Sequence, residues 1–367
     1  MDRIIYCHTD KLGGAELAVP GLARSLEATV WLSGGGPLRD ILEDECIDFK
    51  SFESRIDSRP GSVRALLAAL TQLVIVPVIF LFRLRRTSSR VVISNSLQGI
   101  LHMWLGCFLL RKQLYVYVRD LGFGGNRSKI EVNIYRLLCR FFADGVIYNS
   151  EYTEDSWSLT LPAVVIPTPV RDEYFDCWQS GGTSRVSSGK LVMVGRVSEW
   201  KGQARVAEAF MRIHDLDIEL AFMGDALFGE SIILDDFSSE SITSLGHIEK
   251  PWSRLHEFDV LIHASYPPEP FGQVLAQAAA AGMPILCADV GGQTEWLVDK
   301  VNCLMADPND IDALENGIRS IVSDPAGAML RAKAARREAE RFRLKVAYEP
   351  LVSWIATERR SFSDENI

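Results

Sequence analysis

The sequence predicts an α/β protein of two doubly wound domains, each a parallel sheet with helices on both faces. Three observations carry this. Short apolar runs alternate with longer segments of helical period, the pattern of successive βαβ units. A passage rich in Pro, Gly and Ser interrupts that alternation, which then restarts. A chain of 367 residues is long enough for two domains with separate cores.

In the first half, strands are predicted over 3–7, 29–32, 91–94, 114–118, 145–148 and 163–166. The passage from Pro167-Thr168-Pro169 to Ser187-Ser188-Gly189 reads as a linker. Strands then follow over 190–195, 218–223, 259–264, 284–288 and 303–305, and a helical segment over 326–360 closes the pattern. The expected division is 1–167, a linker 168–189, a second domain 190–345, and a closing helix and tail 346–367 that packs back on the first domain.

The most informative stretch lies between two strands of the second domain. After 259–264 come Glu269, Gly272 and an alanine-rich helix stopped by Gly282 and Pro284. A helix that starts on a glycine leaves its first N–H groups bare, which is an anion site. Glu269 and Gln277, eight positions apart, suit sugar hydroxyls and a ribose. Gly291-Gly292-Gln293-Thr294-Glu295 repeats the glycine-then-acid pattern after the next strand. The first strand of this domain runs into Gly195-Arg196-Val197-Ser198-Glu199-Trp200-Lys201-Gly202, so Arg196 and Lys201 bracket a second helix start. Taken singly they read equally well as solvated surface cations. In a doubly wound sheet, however, ligands bind outside the carboxyl ends of the strands, where these loops emerge.

Charge separates the halves. Net charge is −9, yet residues 1–170 carry 19 Lys/Arg against 17 Asp/Glu, and the remainder 20 against 31. Residues 58–119 contain nine basic side chains and no acid, the signature of a partner for an anionic surface. Within that block, residues 65–82 form an uncharged run of 18, closed by Arg83, Arg85 and Arg86. It fits a spanning helix, a helix buried in the core, or an interfacial helix with arginines at the headgroups. A second apolar run, 100–110, followed by Arg111-Lys112, favours the interfacial reading. Nucleic acid is disfavoured by the acidic second half and by the lack of basic, aromatic-studded strands. Seven scattered cysteines without a C-x-x-C pair indicate neither a disulfide framework nor zinc, and no signal peptide is read at the N-terminus. A cytoplasmic protein at the inner face of the membrane is expected, with no metal and no resident cofactor.

Gly195-Arg196 with Lys201-Gly202, Gly224-Asp225, Leu245-Gly246-His247, Ser265 with Glu269-Pro270-Phe271-Gly272, Ala281-Gly282-Met283-Pro284, and Gly291-Gly292 with Glu295 occur in an order that resembles the retaining glycosyltransferases of family 4. Gly13-Gly14-Ala15-Glu16, Asn95-Ser96 and Asn149-Ser150-Glu151 extend the resemblance into the first half. It implies the GT-B fold, two Rossmann-like domains facing a central cleft, and a nucleotide-sugar donor bound by the second. Arg196 and Lys201 would neutralise the diphosphate, and Glu269 would hold the sugar. Phe271, Gly272, Gln273 and Val274 would present backbone groups, Gln277 would hold the ribose, and His247 would lie beside the base or simply pack. Gly13 and Gly14 would form a loop near the diphosphate in the acceptor domain. Transfer with retention would proceed by attack on the face of departure, a leaving phosphate oxygen taking the acceptor proton.

The chain departs from the family pattern twice. Gln277 stands where the family has a second glutamate, and an amide still bonds a diol, so activity with weaker nucleotide binding is expected. Arg119-Asp120 follows a strand where the family has a histidine. Arg119 would contact the donor sugar or phosphate, or pair with Asp120; its place at a strand end favours a site role. Asp215-Leu216-Asp217 matches a D-x-D metal motif but reads as a solvated turn. The expected activity is transfer of a hexose-type sugar to a lipid-linked saccharide in bacterial surface polysaccharide assembly. A nucleotide-sugar epimerase of the same fold and an inactive relative acting as a binding partner are the alternatives.

Overall fold

The computed structural model describes residues 3–11, 13–52, 74–122, 128–180, 189–225, 237 and 239–364. The chain divides into two compact units, Met1–Thr168 with Ala347–Ile367, and Pro169–Val346.

The first unit holds a seven-stranded parallel sheet of β1 (Arg3–Cys7), β2 (Ala28–Ser33), β3 (Phe49–Phe52), β4 (Val91–Ser94), β5 (Gln113–Val118), β6 (Gly145–Tyr148) and β7 (Ala163–Val165). Their order, β3-β2-β1-β4-β5-β6-β7, reverses direction between β1 and β4. One face is covered by the helices Val76–Arg85, Leu97–Leu109 and Lys129–Phe142, which bury Phe80, Met103 and Tyr135 among others. The other face is covered partly by the closing helix Glu349–Asp364. There Trp354 meets the Tyr115 ring at 5.1 Å, and Leu351 and Ile355 join the core.

The second unit holds six parallel strands, β8 (Lys190–Val194), β9 (Glu219–Met223), β10 (Ile242–Gly246), β11 (Val260–His263), β12 (Ile285–Ala288) and β13 (Leu304–Ala306). Their order is β10-β9-β8-β11-β12-β13, so the reversal falls between β8 and β11. The helix Gln273–Ala280 sits close to this sheet because its inward side chains are alanines, of which Ala276, Ala278, Ala279 and Ala280 are buried. Arg336 closes its far end by donating to the Ala280 carbonyl, and at 3.1 Å to that of Phe175.

Two strands absent from the sequence reading, β3 and β10, are the outer strands of their sheets, with mostly exposed or half-buried residues. An edge strand faces water on one side and needs no continuous apolar run, so its sequence carries little signal. The expected linker also needs correction. Residues Asp172–Ser180 form a helix whose Tyr174 and Phe175 lie in the core of the second unit, while 181–188 lie outside the described residues.

Of the apolar run 65–82, residues 65–73 lie outside the described residues, Val74 and Ile75 precede the helix Val76–Arg85, and 76–82 belong to it. Among the described residues no helix is long and apolar enough to cross a membrane.

Candidate functional site

The reversal of strand order in the second unit opens a crevice at the carboxyl ends of β8 and β11. Two loops enter it. The loop after β8 carries Gly195 to Gly202, and the loop after β11 carries Ala264 to Gly272. Backbone contacts stitch them together: the Tyr266 N–H donates to the Trp200 carbonyl at 2.7 Å. Gly202 lies in the left-handed region at φ +81°, and a Cβ there would stand 2.3 Å from the Ala264 carbonyl oxygen. Only glycine allows that approach. Gly224, after β9, is constrained in the same way, since its Cβ would fall 2.0 Å from the Gly195 carbonyl oxygen. The loop after β12 joins from the other side, the Gly292 N–H donating to the Glu269 carbonyl at 2.9 Å.

At the centre is the Glu269 carboxylate. Its Oε1 accepts from the Lys201 ammonium, from Ser265 Oγ at 2.5 Å, and lies 3.1 Å from His263 Nε2. The Lys201 and Glu269 side chains are 19% and 10% exposed, so the pair is largely out of water. Burial alone would push the Glu269 carboxyl up. Lys201, then His263, outweigh it and hold the group well below the usual carboxylate range. The Lys201 ammonium also sits 4.3 Å from the centre of the Trp200 ring, and the exposed Arg196 guanidinium 5.9 Å from it.

The helix Gln273–Ala280 starts on Gly272, at φ +79°, with no side chain capping it. Gln273 donates to the Pro169 carbonyl at 3.0 Å. The Phe271 ring is buried in the core, 5.2 Å from Phe342 and 6.2 Å from Trp296, centre to centre. Gln277 is half-buried and lines a small depression with Val274, Tyr174, Val194 and Leu255. His247 is exposed just beyond β10, the outer strand of the sheet.

The structure thus brings Lys201 and Glu269 into contact, with Arg196 on the same loop and the bare helix start next in sequence. His263, Ser265 and Trp200 were not singled out as site residues. The signal for the first two was alternation along β11 and its exit, which turns positions 263 and 265 to the same side.

The first unit has a polar cluster at its own reversal, between β1 and β4. His8 Nδ1 lies 2.7 Å from Ser96 Oγ, and the Asn95 N–H donates to the Tyr6 carbonyl at 2.9 Å. Arg119, at the end of β5, donates through Nη1 to the Asn95 carbonyl at 2.8 Å and to Asn95 Oδ1 at 3.0 Å. Its guanidinium lies 3.5 Å from the centre of the Tyr117 ring. Burial raises the Glu16 carboxyl, against the pull of Arg119. Gly13, extended and exposed, precedes the one-turn helix Gly14–Leu17. Arg85 and Arg86 are exposed, whereas Arg83 lies across Phe52 and Phe80 at 4.0 and 5.1 Å from their centres.

Asp215 forms an exposed ion pair with Arg319 at 2.6 Å, as suits a surface turn. Among the described residues no group of three or more His, Cys, Asp or Glu is placed to hold a metal ion.

Comparison with known proteins bears on the second unit most directly. Residues 182–341 match the family described as glycosyl transferases group 1. A glycogen synthase of Mycobacterium tuberculosis is 36% identical over 161 residues, which are 42% of this chain and 38% of that protein. The match therefore spans well under half of the relative. Across the whole chain, the structure of Anabaena HepE in complex with UDP superimposes with a TM-score of 0.82 at 22% identity, covering 97% of this chain and all of that one. HepE has also been solved with UDP-glucose, at a TM-score of 0.79. The lipopolysaccharide outer core galactosyltransferase WaaB gives 0.73 at 15% identity, covering 97% and 99%. The chain accordingly has the GT-B fold, and residues 182–341 of its second unit match the glycosyl transferases group 1 family.

Proposed function

We propose that the protein is a retaining glycosyltransferase that moves a hexose-type sugar from a nucleoside diphosphate to a lipid-linked saccharide. One observation carries the reading: Lys201 pairs with a buried carboxylate at the strand-order reversal of the second unit, with Arg196 on the same loop and an uncapped helix start three residues after Glu269. Arg196 and Lys201 meet the diphosphate, and the N–H groups after Gly272 take a phosphate oxygen. Glu269, kept ionised by its neighbours, accepts hydrogen bonds from sugar hydroxyls, while Gln277 takes the ribose. The binding of UDP and UDP-glucose by HepE supports a nucleotide-sugar donor.

The chemistry asks the protein to position reactants and to stabilise charge on the departing diphosphate. The acceptor hydroxyl attacks the anomeric carbon on the face that the phosphate leaves, and its proton passes to a leaving phosphate oxygen. The new glycosidic bond forms as the anomeric carbon–phosphate bond breaks, so configuration is kept. Positive charge comes from side chains and backbone dipoles, without a metal ion. The first unit takes the acceptor, with Gly13, Gly14 and Arg119 at its strand ends, and Arg85 and Arg86 serve an anionic membrane. The lipopolysaccharide substrate of WaaB supports surface polysaccharide assembly as the setting.

The test is release of nucleoside diphosphate from a panel of sugar donors, with and without lipid-linked acceptor, in the presence and absence of EDTA. Acceptor-dependent release that EDTA leaves unchanged, with the product's anomeric signal matching that of the donor, is the expected result. Release that needs no acceptor, or an inverted product, removes the proposal.

A further inference from the structure

The helix-covered face of the first unit carries apolar surface that its own core does not use. Of the sixteen large exposed hydrophobic residues among the described residues, eleven lie on or beside the helices Val76–Arg85, Leu97–Leu109 and Lys129–Phe142. That concentration marks an interaction surface rather than scattered exposure.

The helix Lys129–Phe142 makes the case. It turns Val132, Tyr135 and Cys139 inward and buries them, which meets the needs of the sheet beneath. It carries a second apolar stripe at i, i+4, i+7 and i+11. Ile130, Ile134, Leu137 and Phe141 are 73%, 47%, 57% and 64% exposed. The three helices are neighbours: Phe142 stands 4.6 Å from Trp104 and 5.8 Å from Phe108, ring centre to ring centre. Gly106 lets Val76–Arg85 approach on the other side, where a Cβ would stand 2.7 Å from Leu84 and 3.1 Å from the Leu81 backbone. Phe82 and Phe108 extend the stripe across the face.

Charge selects the occupant. Residues 74–119 hold seven basic side chains and no acid. Arg85, Arg86, Arg111 and Arg140 are exposed at the C-terminal ends of the three helices, so the cations follow one rim of the apolar face. Glu131, on the third helix, is tied into a capping box with Ser128 at the opposite end. A second copy related by a two-fold axis along the helices would set like-charged rims against each other. An anionic lipid surface matches both features.

We propose that this three-helix face seats on an anionic bilayer by inserting Ile130, Ile134, Leu137 and Phe141 below the headgroups, with the arginine rim at phosphate level. The proposal deepens the membrane reading above and rests on it. It is tested by sedimentation with vesicles of phosphatidylcholine alone and of phosphatidylcholine with one-third phosphatidylglycerol. The full chain is compared with Ile134→Ser/Leu137→Ser/Phe141→Ser and with Arg85→Glu/Arg86→Glu. The unaltered chain is expected to bind the anionic vesicles, and the serine variant to lose roughly tenfold or more in partitioning at an unchanged melting temperature. If the serine variant binds as before while the glutamate variant is released, insertion is refuted and the electrostatic reading stands. If the unaltered chain binds neither vesicle, both fall. A dimer that the serine substitutions dissociate, without vesicle binding, assigns the face to a second copy and overturns the proposal.

Discussion

Lys201 and Glu269 lie 68 residues apart in sequence and meet as an ion pair at the carboxyl ends of the β8 and β11 strands. The pairing helps to keep the Glu269 carboxylate ionised before any ligand arrives. Under the proposed function a donor diphosphate competes with Glu269 for Lys201, so binding would exchange one anion for another.

Lys201→Ala is expected to cut turnover by ~100-fold or more, as for other losses of a charge-stabilising group. It also leaves the Glu269 carboxylate buried without its cation, which costs about 3 kcal/mol of stability. Initial rates and urea denaturation measure the two effects, and an unchanged rate would show that the loop takes no part in transfer.

Glu269 gives the second unit a sign-definite response to acid. Its folded pKa lies well below the ordinary value of 4.5, so its contribution is complete above that value. The contribution is lost as pH falls from about 4.5 through the folded pKa, where the unfolded chain binds the extra proton. Glu269→Gln should flatten this part of the acid-unfolding curve. A variant whose curve parallels that of the unaltered protein would contradict the assignment.

Gly202→Ala should cost about 2 kcal/mol or more and displace Lys201, because the added methyl meets a backbone oxygen from a strained φ. Denaturant midpoints give the stability change, and nucleotide affinity by calorimetry gives the displacement. An alanine variant with native affinity and stability would mean that the two loops need not approach so closely.

Gln277→Glu restores the carboxylate that the family resemblance leads one to expect. A charge-assisted bond to a ribose hydroxyl is worth about 1 kcal/mol more than a neutral one, so UDP should bind roughly fivefold more tightly. Weaker or unaltered binding would place the ribose elsewhere.

How much was legible followed from where each residue sits. The inner strands announce themselves because burial on both faces demands continuous apolar runs, as in Val91–Ser94 and Ile285–Ala288. Phe49–Phe52 and Ile242–Gly246 stayed hidden because an edge strand tolerates polar residues. Arg196, Lys201 and Glu269 could be singled out from loop chemistry, but the contact between Lys201 and Glu269 depends on β8 and β11 lying side by side, which no local pattern encodes. His263 read as the end of an apolar strand. The outward stripe from Ile130 to Phe141 escaped notice because a helix apolar on two sides looks, in sequence, like one wholly in the core.

The chain leaves the first unit at Thr168 and returns to it at Ala347, so the second unit is a topological insertion. The consequence concerns biosynthesis. As the polypeptide emerges from the ribosome, the inserted unit has its complete complement of strands while the sheet around Tyr115 still lacks Trp354, Leu351 and Ile355. The part made first is therefore finished last, and a fragment cut at residue 168 lacks some of the side chains that cover one face of its sheet.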